Sequence, residues 1–417
     1  MKLLHLADLH FGKNLFAQPL LEDQAFWVDR LLESVRRARP DAVLIAGDVY
    51  DRGVPGKEAV QLLSRLLTAL AEQGIEVLLT AGNHDGGERL EFASELLASQ
   101  RVHIAGTVRP ELVHWSTEDA FGPVTFWLLP YTTPAAVRTV LNLGDDVVSN
   151  YSEAVQQLLE RQAIDWNVRN VLLAHQTVLP GAGELRRLPS ETAIGGVGGI
   201  DAAVFERFDY VALGHIHGAQ SVGSPRIRYA GSPLCYHFGE VDERKGLSYI
   251  TLGEKGSEPC CTIEELPTLH RVRKPIVDTL QHIVESETAH PGESEYVSVV
   301  LTDSRIVPGA HETLRTLFAS RGSVLLDLTR RSELSDLRPA ESAESAERQS
   351  VADYFSAFYR SRRADGADPD DAELELIEFL ARQVEDRPDE SEETLVSNLV
   401  DLAVRQADNE LRGECPV

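Results

Sequence analysis

Cysteine is scarce in this chain and poorly spaced for structural work. The 417 residues hold four: Cys235, the adjacent Cys260 and Cys261, and Cys415, with no CxxC pair. That excludes a disulfide framework and a zinc knuckle, and a reducing cytosol is the expected compartment. Long apolar runs are also missing. The opening "MKLLHLADLH" is interrupted by His5 and Asp8, too soon for a signal peptide, and nothing reaches membrane-spanning length. Positive charge is the third shortage: 40 Lys and Arg against 66 Asp and Glu leave −26. A general nucleic-acid coat protein is excluded, because phosphate binding needs a basic surface. From Arg331 onward 23 acidic residues face 10 basic ones, a net of −13, so half the excess lies in the last fifth. Any nucleic-acid site must be local or carry its own cations as metals. The chain also lacks GxxxxGK[ST], so ATP use would have to come from another subunit.

What is present is a chain too long for one simple core, so two or three domains are expected. The first 130 residues alternate strand-like and helix-like segments. "KLLHLA" reads as a buried strand, and residues 22–38 carry Phe26, Trp27, Leu31, Leu32 and Val35 at helical spacing before Pro40. "AVLIAGD" is a second strand, 57–73 a second helix, and "IEVLLTAGNHD" a third strand entering a loop. "VLLAH" and "YVALGH" are later strands that end at a histidine. This alternation predicts an α/β layered fold, β-sheets flanked by helices.

These strands all end on residues able to bind metal: "ADLH" (Asp8, His10), "AGDVYD" (Asp48, Asp51), "AGNHD" (Asn83, His84, Asp85), "LLAH" (His175) and "GHIH" (His215, His217). Ligands gathered at the carboxyl ends of strands are how α/β sheets build sites. Carboxylates, imidazoles and an amide suit Mn²⁺, Fe or Zn²⁺ paired at short range. The glycines at 47, 82 and 214 let a loop backbone come close. Each fragment alone is weak, but the ordered series predicts a two-metal site.

The series resembles the calcineurin-like metallophosphoesterases, whose pattern is D-x-H, G-D-x-x-D, G-N-H-[D/E], H and G-H-x-H. Within them, the "GNHD" variant, "GSP" at 231–233 and the added C-terminal parts look most like nuclease subunits that work with an ATPase. The resemblance implies that Asp8, His10, Asp48 and His217 hold one ion. It implies that Asp48, Asn83, His175 and His215 hold the other, with Asp48 bridging. His84 would stand beside the leaving oxygen, and Asp85 is placed to orient or charge its imidazole. Further implications are Mn²⁺ as the metal and 3′-to-5′ exonuclease and endonuclease action on DNA ends and hairpins. The implied partner is a coiled-coil ABC-type ATPase, with two copies of this chain in a heterotetramer. A phosphatase or small-molecule phosphodiesterase on the same fold, and a scaffold without metals, are the rival readings.

Other histidines are read differently. His5 is expected in the core or at its rim, and Asp51 as a loop-bracing acceptor. His237 in "PLCYHFGE" is left open between site and structure. His103, His114, His270, His282, His290 and His311 match no pattern. The expected domain order is a nuclease domain at 1–267, a small α+β cap facing DNA at 268–330, a polar linker at 331–350 and a helical partner-binding region at 351–417. In that last region Val351, Tyr354, Phe355, Phe358 and Tyr359 form one apolar helix face. Local basic groups are Arg36, Arg37 and Arg39; Arg186 and Arg187; and Arg271, Arg273 and Lys274.

Overall fold

The computed structural model describes residues 1–331 except 145–146, 182–184, 187–198 and 289–292, and beyond 331 only positions 356, 359, 360, 369, 374 and 377. The expected linker and partner-binding region lie almost wholly outside the described residues, as do Arg187 and His290. The described residues up to Arg331 belong to one compact unit.

The chain first lays down β1 (Lys2–Leu6), β2 (Ala42–Ala46), β3 (Glu76–Thr80) and β4 (Val102–Ala105), side by side and parallel. It then builds a second sheet from β5 (Val113–Asp119), β6 (Gly122–Leu129), β7 (Arg169–His175), β8 (Tyr210–Gly214), β9 (Gln220–Val222) and β10 (Ser224–Tyr229). Finally β11 (Leu247–Thr251) returns to pair antiparallel with β1, and β12 (Cys260–Glu264) closes that edge. The sheet orders are β12-β11-β1-β2-β3-β4 and β9-β10-β8-β7-β6-β5.

Period-two alternation decides which side chains go where. Leu3, Leu44 and Leu78 of the first sheet meet Phe126, Leu173 and Tyr210 of the second in one fully buried layer. His5 lies in this layer, its Nδ1 2.8 Å from the Tyr210 hydroxyl, and burial lowers its pKa to about 3. It is a core histidine, as expected.

The alternate residues face outward onto helices. α1 (Leu21–Ala38) and α2 (Lys57–Glu72) cover Leu4, Val43, Ile45 and Leu79 with Trp27, Leu31, Leu63 and Leu66. α3 (Pro134–Leu141) and α4 (Tyr151–Glu160) cover Leu172 and Leu213 with Val137, Val155 and Leu158. Each such side chain withdrawn from water contributes about 1.5–3 kcal/mol, so the repeated alternation holds the four layers together. α1 carries Glu22 and Asp23 in its first turn and Arg36 and Arg37 in its last, matching the helix dipole. It stops at Arg39, whose left-handed backbone (φ 45°) returns its amide to Val35.

Beyond the first sheet, β13 (Arg271–Val272), β14 (Ile276–Asp278), β15 (Glu295–Leu301) and β16 (Val324–Arg330) form a third, parallel sheet around β15. α5 (Leu280–Thr288) and α6 (Ala310–Ala319) pack on it, and Ile283, Val297, Val299, Leu314 and Phe318 make its own core. The β-α-β unit expected from sequence is β15-α6-β16; the two short strands and α5 that precede it carry too little pattern to be read. No described helix is long and apolar enough to cross a membrane.

Candidate metal centre

Because β1 and β2 are parallel, the loops leaving their carboxyl ends run together. Asp8 donates its amide to the Gly47 carbonyl at 3.1 Å, and His10 donates its own to the Asp48 carbonyl at 2.9 Å. Asp8, His10 and Asp48 all have left-handed backbones (φ 54°, 43° and 48°), and His215 reaches φ 98°. Each non-glycine residue held there costs about 1–3 kcal/mol, a strain that surrounding packing must offset. The glycines are required by contact. A Cβ at Gly82 would stand 2.1 Å from Asp48 Oδ1, and one at Gly214 would stand 1.9 Å from the Ala46 carbonyl.

The structure brings every expected ligand together. Asp48 Oδ2 lies 3.3 Å from His175 Nε2 and 3.5 Å from His10 Nε2. Asn83 Oδ1 lies 3.2 Å from His175 Nε2 and 3.0 Å from His215 Nδ1. His10 Nε2 and His217 Nε2 face each other at 3.3 Å. Asp8 offers a donor within 4.8 Å of His10 and His217, and within the same distance of Asp48 and His175. Donor atoms held about 2.1 Å from one cation, about 90–110° apart, are about 3.0–3.4 Å from each other. The observed spacing is that of donors arranged around ions.

His175 Nδ1 meets the Ala46 carbonyl at 2.8 Å, so it carries a hydrogen. In the neutral ring Nε2 then points a lone pair at Asp48 and Asn83, which are themselves acceptors. Only a second proton or a cation relieves that convergence. Burial disfavours the proton, yet the Asp48 and Asp8 carboxylates outweigh it and push His175 up to about 9. Asp8 Oδ2 is buried with no hydrogen-bond partner. Burial raises the Asp8 carboxyl. Burial opposes charge on Asp48 too, but the imidazoles of His175 and His10 hold it well below the ordinary range. Among the described residues neither aspartate pairs with a lysine or arginine. His10 and His215 are lowered by burial to about 4 and 3, which leaves their lone pairs free. This donor set fits a pair of divalent cations.

His84 is exposed, its ring 4.8 Å from that of His10. Its amide donates to Asp48 Oδ1 at 2.9 Å, and its Nδ1 faces the Asp51 carbonyl at 3.1 Å. The expected pairing of Asp85 with this ring is not what the structure gives. Asp85 is buried and accepts the amides of Val49, Tyr50 and Gly82 at 3.1, 2.8 and 2.9 Å. It ties the loop after β2 to the loop after β3, turned away from its sequence neighbour. Burial and the charge of Asp48 raise it to about 7.

Asp51 behaves as a brace, receiving Lys13 Nζ at 2.7 Å and standing 3.4 Å from His10 Nδ1. His237 caps the short turn Phe238–Glu240 by accepting the Gly239 amide at 2.9 Å. Two groups unread from sequence complete the surroundings. Tyr236 packs edge-on against His10 and His217, and the buried Glu240 stands behind His217. In sequence a Glu two residues past an aromatic carries no signal of that kind. Five of the seven described candidate basic groups are paired with carboxylates: Arg37 with Glu264, Arg186 with Glu243, Arg271 with Glu293, Arg273 with Glu287 and Lys274 with Asp242.

Residues 1–219 match the family model described as calcineurin-like phosphoesterase. The chain belongs to that family. Residues 266–363 match a second model, described as the type 5 capsule protein repressor C-terminal domain and labelled for SbcD. The order of the two domains is consistent with SbcD. Among solved structures, the chain is similar to a dimetal phosphatase from Danio rerio at 14% identity and a TM-score of 0.33, over 63% of this chain and 98% of that one. It is also similar to a psychrophilic β-glucosidase from Micrococcus antarcticus at 13% identity and a TM-score of 0.20, over 79% and 83%. Likeness at that level says nothing about substrate. The calcineurin-like phosphoesterase assignment and the clustered donors make the site a metal-assisted phosphoester hydrolase centre.

Proposed function

We propose that this calcineurin-like phosphoesterase is an SbcD-type nuclease that cleaves phosphodiester bonds at DNA ends and hairpins together with an SbcC-type ATPase. The observation that carries this reading is the pairing of a clustered His/Asp centre with the second domain match over 266–363. Asp8, His10, Asp48 and His217 would hold one ion, and Asp48, Asn83, His175 and His215 the other, with Mn²⁺ the expected metal. The chemistry such ions supply is charge for the phosphate and a lowered pKa for adjacent water. His84, anchored through Nδ1–H to the Asp51 carbonyl, has Nε2 left, and when the ring carries a second proton there it would pass that proton to the departing oxygen and return to the neutral imidazole. Asp85 would act by holding the two loops in register and not by charging His84.

The partner reading rests on the C-terminal match and on the helical spacing in the sequence of the apolar residues Val351, Tyr354, Phe355, Phe358 and Tyr359. A pair of copies is the expectation carried by the family resemblance, and Phe92 and Leu96, 81% and 70% exposed, are apolar side chains that a second copy would cover. The test is hydrolysis of a labelled hairpin duplex with Mn²⁺, by the chain alone and with the ATPase and ATP. Cleavage stimulated by the partner supports the reading. Hydrolysis of a small phosphomonoester with no action on DNA would instead make the chain a phosphatase. Truncation after Ser335 should abolish co-purification with the ATPase and spare cleavage of simple substrates.

A further inference from the structure

His217 has a carboxylate behind it that is wholly withdrawn from solvent, Glu240 at 0% exposure. Glu240 Oε1 lies 3.2 Å from His217 Nδ1. Oε2 accepts the Tyr236 amide at 3.1 Å and Lys245 Nζ at 2.7 Å. Lys245 is fully engaged, since it also donates to Ser232 Oγ at 2.7 Å and to the His217 carbonyl at 3.0 Å. An ammonium has three donors, and here they clamp the backbone of His217 and the carboxylate behind its ring at once.

A carboxylate accepts and does not donate, so His217 Nδ1 carries the hydrogen and Nε2 carries the lone pair. That Nε2 is the atom 3.3 Å from His10 Nε2. We propose that Glu240, held by Lys245, is a positioning residue that fixes the tautomer and tilt of His217 and so sets the affinity of the cation held by Asp8, His10 and His217. The proposal rests on reading those three side chains as ligands of one ion. His175 is served differently, because its outer nitrogen meets the backbone carbonyl of Ala46, which no side-chain substitution removes. The dependence on Glu240 is therefore specific to one ion of the pair.

The experiment is calorimetric titration of the full chain with Mn²⁺ alone, for wild type, Glu240→Ala, Glu240→Gln and Asp209→Asn. Asp209 is the control: 1% exposed and bonded to Lys255 Nζ at 2.8 Å, to the Asn170 amide at 2.8 Å and to the Gly256 amide at 2.9 Å. Loss of a carboxylate behind a ligand histidine changes metal affinity about 10–100-fold, and that loss is expected at one of the two sites in Glu240→Ala. Glu240→Gln keeps an acceptor without the charge and should fall between. Asp209→Asn should lower the melting temperature and leave both affinities unchanged. Wild-type affinity at both sites in Glu240→Ala overturns the proposal, and so does equal weakening of that site by Asp209→Asn. If circular dichroism shows Glu240→Ala unfolded, Glu240→Gln carries the same test alone. A wild-type chain that takes up no Mn²⁺ overturns the ligand reading itself.

Discussion

Asp23 and Gln24 are neighbours in the first turn of α1, and each grips a different part of the molecule. Asp23 accepts the Tyr296 hydroxyl at 2.8 Å and the His270 amide at 3.1 Å, both from the segment that leads into and through the third sheet. Gln24 donates to the His10 carbonyl at 2.7 Å and accepts the Gly12 amide at 2.9 Å. Gln24→Ala removes both bonds, but the His10 carbonyl keeps the Lys13 amide at 3.0 Å and Gly12 is exposed, so the cost should be about 0.5–1.5 kcal/mol. Chemical denaturation should show that loss, with weakened Mn²⁺ uptake. Tyr296→Phe takes the hydroxyl away from the buried Asp23 carboxylate and should cost about 1–3 kcal/mol, with Mn²⁺ uptake unchanged.

Asp48 touches donors assigned to both ions, with Oδ2 near His10 and His175. Asp48→Ala should remove both ions together and take hydrolysis below detection while circular dichroism stays native. Elemental analysis decides: two ions retained would mean the bridge lies elsewhere.

His84 is exposed and bonded through Nδ1 to a backbone carbonyl. His84→Ala should keep both ions and slow hydrolysis by about 10²–10⁴-fold, as for a lost general acid. Metal lost from this variant would make His84 a ligand.

Gly82 has no room for a methyl group, since it would meet Asp48 Oδ1 at 2.1 Å, whereas Gly74 (φ 74°) has nothing within 4 Å of that position. Gly82→Ala should displace Asp48, cost about 1–3 kcal/mol as overpacking does, and abolish the Mn²⁺-dependent rise in melting temperature. Gly74→Ala pays only left-handed backbone strain, about 1–2 kcal/mol, and should keep that rise.

The clustering of the donors was legible because they fall at strand ends in a fixed phase, and strand alternation is the strongest local signal a chain carries. His5 could be separated from them on the same ground, because it sits inside a strand and not after it. Side-chain direction was less accessible. Asp85 follows His84 in sequence, yet the loop turns its carboxylate back onto the amides of Val49, Tyr50 and Gly82. Glu240 and Lys245 were invisible for a related reason: on a loop they look like any solvated charge, and only the return of the chain to β11 buries them against His217. The pairing of Arg273 with Glu287 and of Lys274 with Asp242 likewise depends on contacts between distant segments.

Asp8, His10, Asp48 and Asn83 come from the first sheet's strand ends, and His175, His215 and His217 from the second's. Ions held by these groups, as proposed, would be rivets through two plates. The plates are also joined by interdigitated apolar side chains and by hydrogen bonds such as those of His5 to Tyr210 and His175 to the Ala46 carbonyl, each weaker than a metal–ligand bond. Filling the site should therefore slow amide exchange at the ends of β1, β2, β7 and β8 in concert, and a chelator should release both plates at once.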